Sequence, residues 1–212
     1  MEMFLNMSAS GGLRYSTHYL GIYVLVEKIK RGANRVAIDR LYASQKTEPG
    51  ISGGYIFKND RLGPGEAGFT TSGGGYSVHF CYVYPHENQN PARPARQVAT
   101  VEQKAWIANF LNRFQTVLHG ANFRDPATGY AAYIDPLSFI DHHIIVELTK
   151  NIDGYRLSTF LHKDKNGRLN MGPVWDYNLS LGNANYNDGW LTTGWYYSFY
   201  LNSYQEYPFY RR

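Results

Sequence analysis

Apolar residues recur at helical spacing in two stretches of the chain and alternate in several others. Trp106, Ile107, Phe110, Leu111, Phe114, Val117 and Leu118 fall on one face of a 3.6-residue period. Thr100 and Gln103 occupy the two positions of a capping box before this run and Gly120 lies just beyond it, so a buried core helix is predicted between them. A second helix is predicted from Asp135 as cap and Pro136 at the first helical position, with an inward stripe of Leu137, Ile140, Ile144 and Leu148. Lys150 in its last turn, then Asn151 and Gly154, end it. Tyr19–Ile29 alternates, with Ile22, Val24 and Val26 on one side and Tyr23 and Leu25 on the other, as expected of an inner strand buried on both faces. Shorter strands are expected at Met3–Asn6, Gly53–Lys58 and Tyr76–Tyr84, with a short segment at Val36–Leu41. The glycine-rich stretch from Leu62 to Tyr76 reads as a mobile surface loop, because it lacks the Gly-Lys-Ser/Thr of a phosphate loop. Pro85–Arg96 reads as a polar linker.

Two further strand-like runs, Tyr155–Lys163 and Arg168–Trp175, flank Asp164-Lys165-Asn166-Gly167, a four-residue turn suited to a hairpin. The hairpin has a chemical consequence. Asp153 and Asp176 stand 23 positions apart, a separation of roughly 75 Å in an extended chain at ~3.3 Å per residue. Folding about residues 165–166 sets position 155 roughly opposite 176, with both carboxylates at the open end of one ribbon and Ser158 a few residues along. Such a pair suits a divalent-metal and phosphoryl-transfer site, one Asp orienting the attacking hydroxyl and the other holding Mg²⁺. The same two residues also read as a turn cap and a solvated strand end.

Composition narrows the choices. Hydrophobic content of 43% and charged content of 18% describe a folded protein, and no apolar run reaches the ~20 residues of a membrane span. Net charge is +4, with Lys and Arg scattered rather than clustered, which argues against nucleic-acid binding. Cys81 is the single cysteine and excludes an intrachain disulfide; amid Val78–Tyr84 it reads as a small buried hydrophobe. His142, His143 and Glu147 lack the His-Glu-x-x-His pattern and read as partnered or solvent-facing side chains. Aromatic content of 16%, with Tyr, Trp and Asn concentrated after Asn183, suggests a large loop over the site or packing against it. A carbohydrate-directed role rests on these aromatics and the carboxylate pair alone.

Asn151-Ile152-Asp153 with Tyr155-Arg156-Leu157-Ser158, then Gly172-Pro173-Val174-Trp175-Asp176-Tyr177-Asn178 and Leu181-Gly182-Asn183, resembles the CotH family of spore-coat-protein-H-like atypical kinases. Gly21–Lys28 and Gly53–Phe57 resemble it too, in the same order. The resemblance implies a single α+β domain with an atypical protein-kinase-like fold, residues 1–30 a small-lobe and hinge remnant and 31–212 the large lobe. It implies transfer of the ATP γ-phosphate to Ser or Thr of a protein substrate, with Mg²⁺ or Mn²⁺. Asp153 is then the catalytic aspartate, Asp176 and Asn178 the metal side, and Glu27, Lys28, Asn151 and Ser158 the cofactor side. Two positions depart from the family pattern: Ser158 stands where many members have Asn, and Asn178 where many have a second Asp. Arg14 is the one basic residue in the first 20 that could substitute for a phosphate-binding lysine, and the chain reads as shortened at both ends. These departures favour an alternative, a non-catalytic kinase-scaffold module for coat or surface assembly. The resemblance implies an extracytoplasmic home (cell surface, secreted or spore coat), although no signal peptide opens the chain. The oligomeric state is left open.

Overall fold

In a computed structural model of the chain, residues 1–8, 11–86, 98–199 and 209–210 are described. They form a mixed α+β structure. Near the N-terminus, β1 (Glu2–Phe4) pairs antiparallel with β2 (Tyr19–Ile22) across a one-turn helix, α1 (Tyr15–His18). The inner strand expected over Tyr19–Ile29 is therefore only its first four residues. It is not buried: Ile22, Val24 and Leu25 are 77, 82 and 83% exposed. The alternation there describes a two-stranded ribbon edge, because no second layer among the described residues covers either face.

The main sheet has five antiparallel strands: β3 (Tyr55–Asn59), β4 (Gly68–Gly73), β5 (Tyr76–Tyr84), β6 (Thr159–Lys163) and β7 (Leu169–Met171). Their spatial order is β4-β5-β3-β6-β7. The long strand β5 matches its predicted limits and buries Tyr76, Val78, Phe80 and Tyr82 on one face, while Ser77 and His79 face out. Its neighbour β4 corrects the expectation of a mobile loop. The glycines serve close approach instead: a Cβ on Gly73 would lie 2.7 Å from the Asn112 carbonyl oxygen, and Gly74 and Gly75 turn the hairpin at φ +63° and +86°.

The sheet is covered by α2 (Val101–His119), which starts as predicted. Thr100 Oγ1 accepts from the Gln103 N–H and Gln103 Oε1 from the Thr100 N–H, closing the capping box. Ile107, Leu111 and Phe114 are fully buried against Phe57, Phe80 and Leu161. The second helix, α3 (Pro136–Thr149), is capped by Asp135, whose carboxylate accepts from the Leu137 N–H at 3.2 Å. Its orientation reverses the prediction. Phe139, His142 and Val146 enter the core, whereas Leu137, Ile140, Ile144 and Leu148 are exposed. Periodicity reports that a stripe exists, not which side the sheet takes, and here the opposite face won.

The strands β6 and β7 form the predicted hairpin, shorter than the sequence suggested, with Leu161 opposite Met171 and Lys163 opposite Leu169. Lys163 fastens its turn. It is 3% exposed, lies over the rings of Trp106 and Phe110, and donates to the carbonyls of Ser52, Asp164 and Gly167. Burial pushes its ammonium down to about 8. Cys81 is fully buried, as expected, and burial pushes its thiol up to about 11. The polar linker predicted at Pro85–Arg96 falls largely outside the described residues.

Candidate functional site

Register builds the site. In the β3–β6 ladder Lys58 faces Phe160 and Asn59 faces Thr159, so the next positions outward, Asp60 and Ser158, meet beyond the strand ends. Across the β6–β7 hairpin the Gly172 N–H donates to the Phe160 carbonyl, and the chain continues to Asp176. The three side chains converge. Ser158 Oγ lies 3.4 Å from Asp176 Oδ2 and 3.5 Å from Asp60 Oδ2. Ser158 and Asp176 both hold left-handed backbone, at φ +53° and +59°. Non-glycine residues occupy that region at a cost of order 1–3 kcal/mol when the surroundings fix them.

Asp60 was not visible to sequence reasoning. Neither was Lys58, whose ammonium lies 3.3 Å from Asp60 and 3.1 Å from Glu66 with its side chain 15% exposed. Burial opposes the Lys58 charge, but the Glu66 and Asp60 carboxylates outweigh it and hold its pKa above the ordinary lysine value. The one signal in the sequence is the run Lys58-Asn59-Asp60 at the end of a strand. Its partner strand begins about a hundred positions later, and no local pattern supplies that pairing.

The loop after α3 positions Asn151, Asp153 and Ser158. Asn151 is buried, and its side-chain oxygen accepts from the Asp153 N–H at 3.2 Å. The Asp153 carboxylate takes Arg156 Nη2 at 3.0 Å, both side chains being 20% exposed. No hydrogen bond or ion pair among the described residues joins Asp153 to Asp176. Asp176 opens a short turn, Tyr177–Leu179. Within that turn Asn178 is exposed, and its carbonyl accepts from Asn183 Nδ2 at 2.7 Å.

The segment Met171–Trp175 that leads into Asp176 lines a cleft of about 430 Å³ together with Glu27, Ile29, Lys30, Arg35, Val36, Ala37 and His162. Glu27 and Arg35 form an ion pair at its edge. Lys28 lies in an adjoining hollow with Leu25 and Val26. The structure thus gathers the predicted Glu27 around the segment that leads into Asp176, although the strand expected to carry it is irregular chain.

The oxygen donors around Ser158 are hard ligands. Two carboxylates and a hydroxyl within 3.5 Å suit Mg²⁺ or Mn²⁺ better than a thiophilic metal. No group of three or more His, Cys, Asp or Glu side chains able to share a metal occurs among the described residues. His143 and Glu147 are not a metal pair, since the Tyr155 hydroxyl bridges them at 2.6 and 2.7 Å. Glu147 also accepts from the Tyr196 and Tyr197 N–H groups, which ties the aromatic segment after Asn183 to α3. Tyr196 is buried against Tyr155 and donates to the Ile152 carbonyl, so part of that segment is packing. Trp190, half exposed, borders a second hollow with Gly182, Asn183, Ala184 and Asn185.

A family model described as CotH, CotH kinase protein, matches residues 1–212. No curated protein and no solved structure matches the chain.

Proposed function

The chain belongs to the CotH kinase family, and on that footing we propose that it transfers the γ-phosphate of ATP to a Ser or Thr hydroxyl of a protein substrate. The observation behind this reading is the convergence of Asp60, Ser158 and Asp176, with Trp175, the residue before Asp176, lining a cleft together with Glu27. The cleft has aliphatic and aromatic walls suited to a base, with Lys30 on its lining as a cation for phosphates, and its volume falls within the ~300–1,000 Å³ usual for ligand sites.

Asp176 and Asp60 would hold Mg²⁺ or Mn²⁺, with Ser158, and Asn178 after local rotation, adding neutral oxygens. The metal would neutralise charge on the transferred phosphoryl group. Asp153 would receive and orient the acceptor hydroxyl, and Arg156 holds its carboxylate in place. Lys58 sits where a second cation would balance the acidic pair. Residues 1–30 would be the small-lobe and hinge portion and 31–212 the large lobe. The proposed setting is extracytoplasmic, at a cell surface, in a secretion or in a spore coat, and its one support is the family resemblance. No helix among the described residues is long and apolar enough to cross a membrane.

The test is transfer of labelled phosphate from Mg-ATP to protein, alongside thermal denaturation with and without Mg-ATP. A ligand at 100 times its Kd should add about 2.7 kcal/mol of stability. Asp153→Asn should abolish transfer while leaving the melt intact. Full activity in that variant would refute the assignment. Stabilisation by Mg-ATP without any transfer would favour the second reading, a binding scaffold, to which the neutral Ser158 and Asn178 lend support.

A further inference from the structure

We propose that the outward face of α3 is the surface through which two copies of this chain pair, their helices antiparallel across a two-fold axis. Leu137, Ile140, Ile144 and Leu148 are 68, 50, 55 and 76% exposed, opposite the face that enters the core. Leu181, 80% exposed, extends the stripe past the helix end, where its N–H donates to the Thr149 carbonyl at 2.7 Å. Single exposed apolar side chains are ordinary, but a contiguous row of five marks a contact surface.

Three features select a second copy as the occupant. The order Leu-Ile-Ile-Leu reads the same in both directions. An antiparallel crossing centred between Ile140 and Ile144 sets Leu137 against the copy's Leu148 and Ile140 against its Ile144. An isologous contact requires this self-complementarity. Area agrees: at roughly 100 Å² per side chain, the five cover about 500 Å², the greater part of the ~800 Å² each partner contributes to a standard interface. The helix ends agree as well, while the exposed Asp141 near the centre of the crossing lies close to its counterpart and sets a like-charge cost against them. Antiparallel helices place each positive N-terminal end beside the other's negative C-terminal end. The segment Pro136–Thr149 contains no Lys or Arg, which disfavours an anionic lipid surface. This pairing is independent of the phosphotransfer reading.

Sedimentation of the 212-residue chain from about 1 to about 100 µM tests the proposal. The expected mass at the upper end is twice the 24.2 kDa of one chain. The double variant Ile140→Lys, Ile144→Lys should weaken association at least about a hundredfold, with an unchanged circular dichroism spectrum. As a second measurement, Leu137→Cys and Leu148→Cys chains mixed together should form a disulfide far faster than either alone, since the native Cys81 is buried. A wild-type chain that stays at 24.2 kDa throughout overturns the proposal, and is the result expected if another protein or lipid takes this face. So does a dimer that survives both lysines, or cysteine variants that link to themselves as fast as to each other.

Discussion

Acid should unfold this protein partly through one histidine. His142 is 7% exposed on the core face of α3, between the rings of Tyr155 and Tyr210. The Tyr210 hydroxyl donates to the Phe139 carbonyl at 3.1 Å, so the hydrogen bond it shares with His142 Nδ1 at 2.8 Å has Nδ1–H as donor. That bond leaves Nε2 as the site of a second proton, which would bring a charge into a buried, largely aromatic site. Burial, with a smaller contribution from His143, pushes the His142 pKa from 6.5 down to about 4. Between those values the unfolded chain binds the proton and the folded chain does not, so stability falls as pH drops through this window and is fully present above it. The difference amounts to about 2 kcal/mol at pH 5 and about 3 kcal/mol near pH 4. Urea denaturation followed by Trp fluorescence at pH 7.5 and 5.0 should show that loss for the wild type. His142→Gln keeps a donor for Tyr210 but cannot titrate, so its loss should be smaller by about 2 kcal/mol. Contributions from groups other than residue 142 are common to both proteins and cancel in the comparison. Parallel pH profiles would refute the reasoning.

Other outcomes follow from the geometry already described. Asp60→Asn should reduce the Mg²⁺ dependence of ATP stabilisation, read as a smaller melting shift at equal nucleotide, because Ser158 and Asp176 then face one carboxylate fewer; an unchanged metal titration would remove Asp60 from the site. Gly73→Ala should destabilise by about 1–3 kcal/mol in chemical denaturation, as the new Cβ forces β4 away from the Asn112 carbonyl. Cys81, fully buried with its thiol pushed up to about 11, should resist a thiol reagent at pH 7.5 in the folded chain and react at once in denaturant.

What the sequence discloses here is local. The capping box at Thr100 and Gln103, the Asp135–Pro136 start of α3 and the Asp164–Gly167 turn are set by neighbours three or four residues away, and each is found where the pattern puts it. The turn also brings Ser158 to Asp176, as its register implies. The failures share another cause. The buried side of α3, the exposure of Val24 and Leu25 and the strand within the glycine-rich stretch all depend on which surface lies opposite. That surface is fixed by long-range packing. Asp60 belongs to the same class, since β3 pairs with a strand far along the chain. Gly73 gives the clearest instance: its small size reads as flexibility until α2 is seen pressed against it.

The bridge from Asp60 to Ser158 spans 98 positions of sequence. Closing so long a loop is a late event for a folding chain, because its entropy must be met before the contact rewards it. A nascent or partly denatured molecule could hold both helices and still lack the Asp60–Ser158–Asp176 cluster. Metal-dependent chemistry in this protein would then switch on only in finished molecules, and catalytic competence would double as a report on assembly quality.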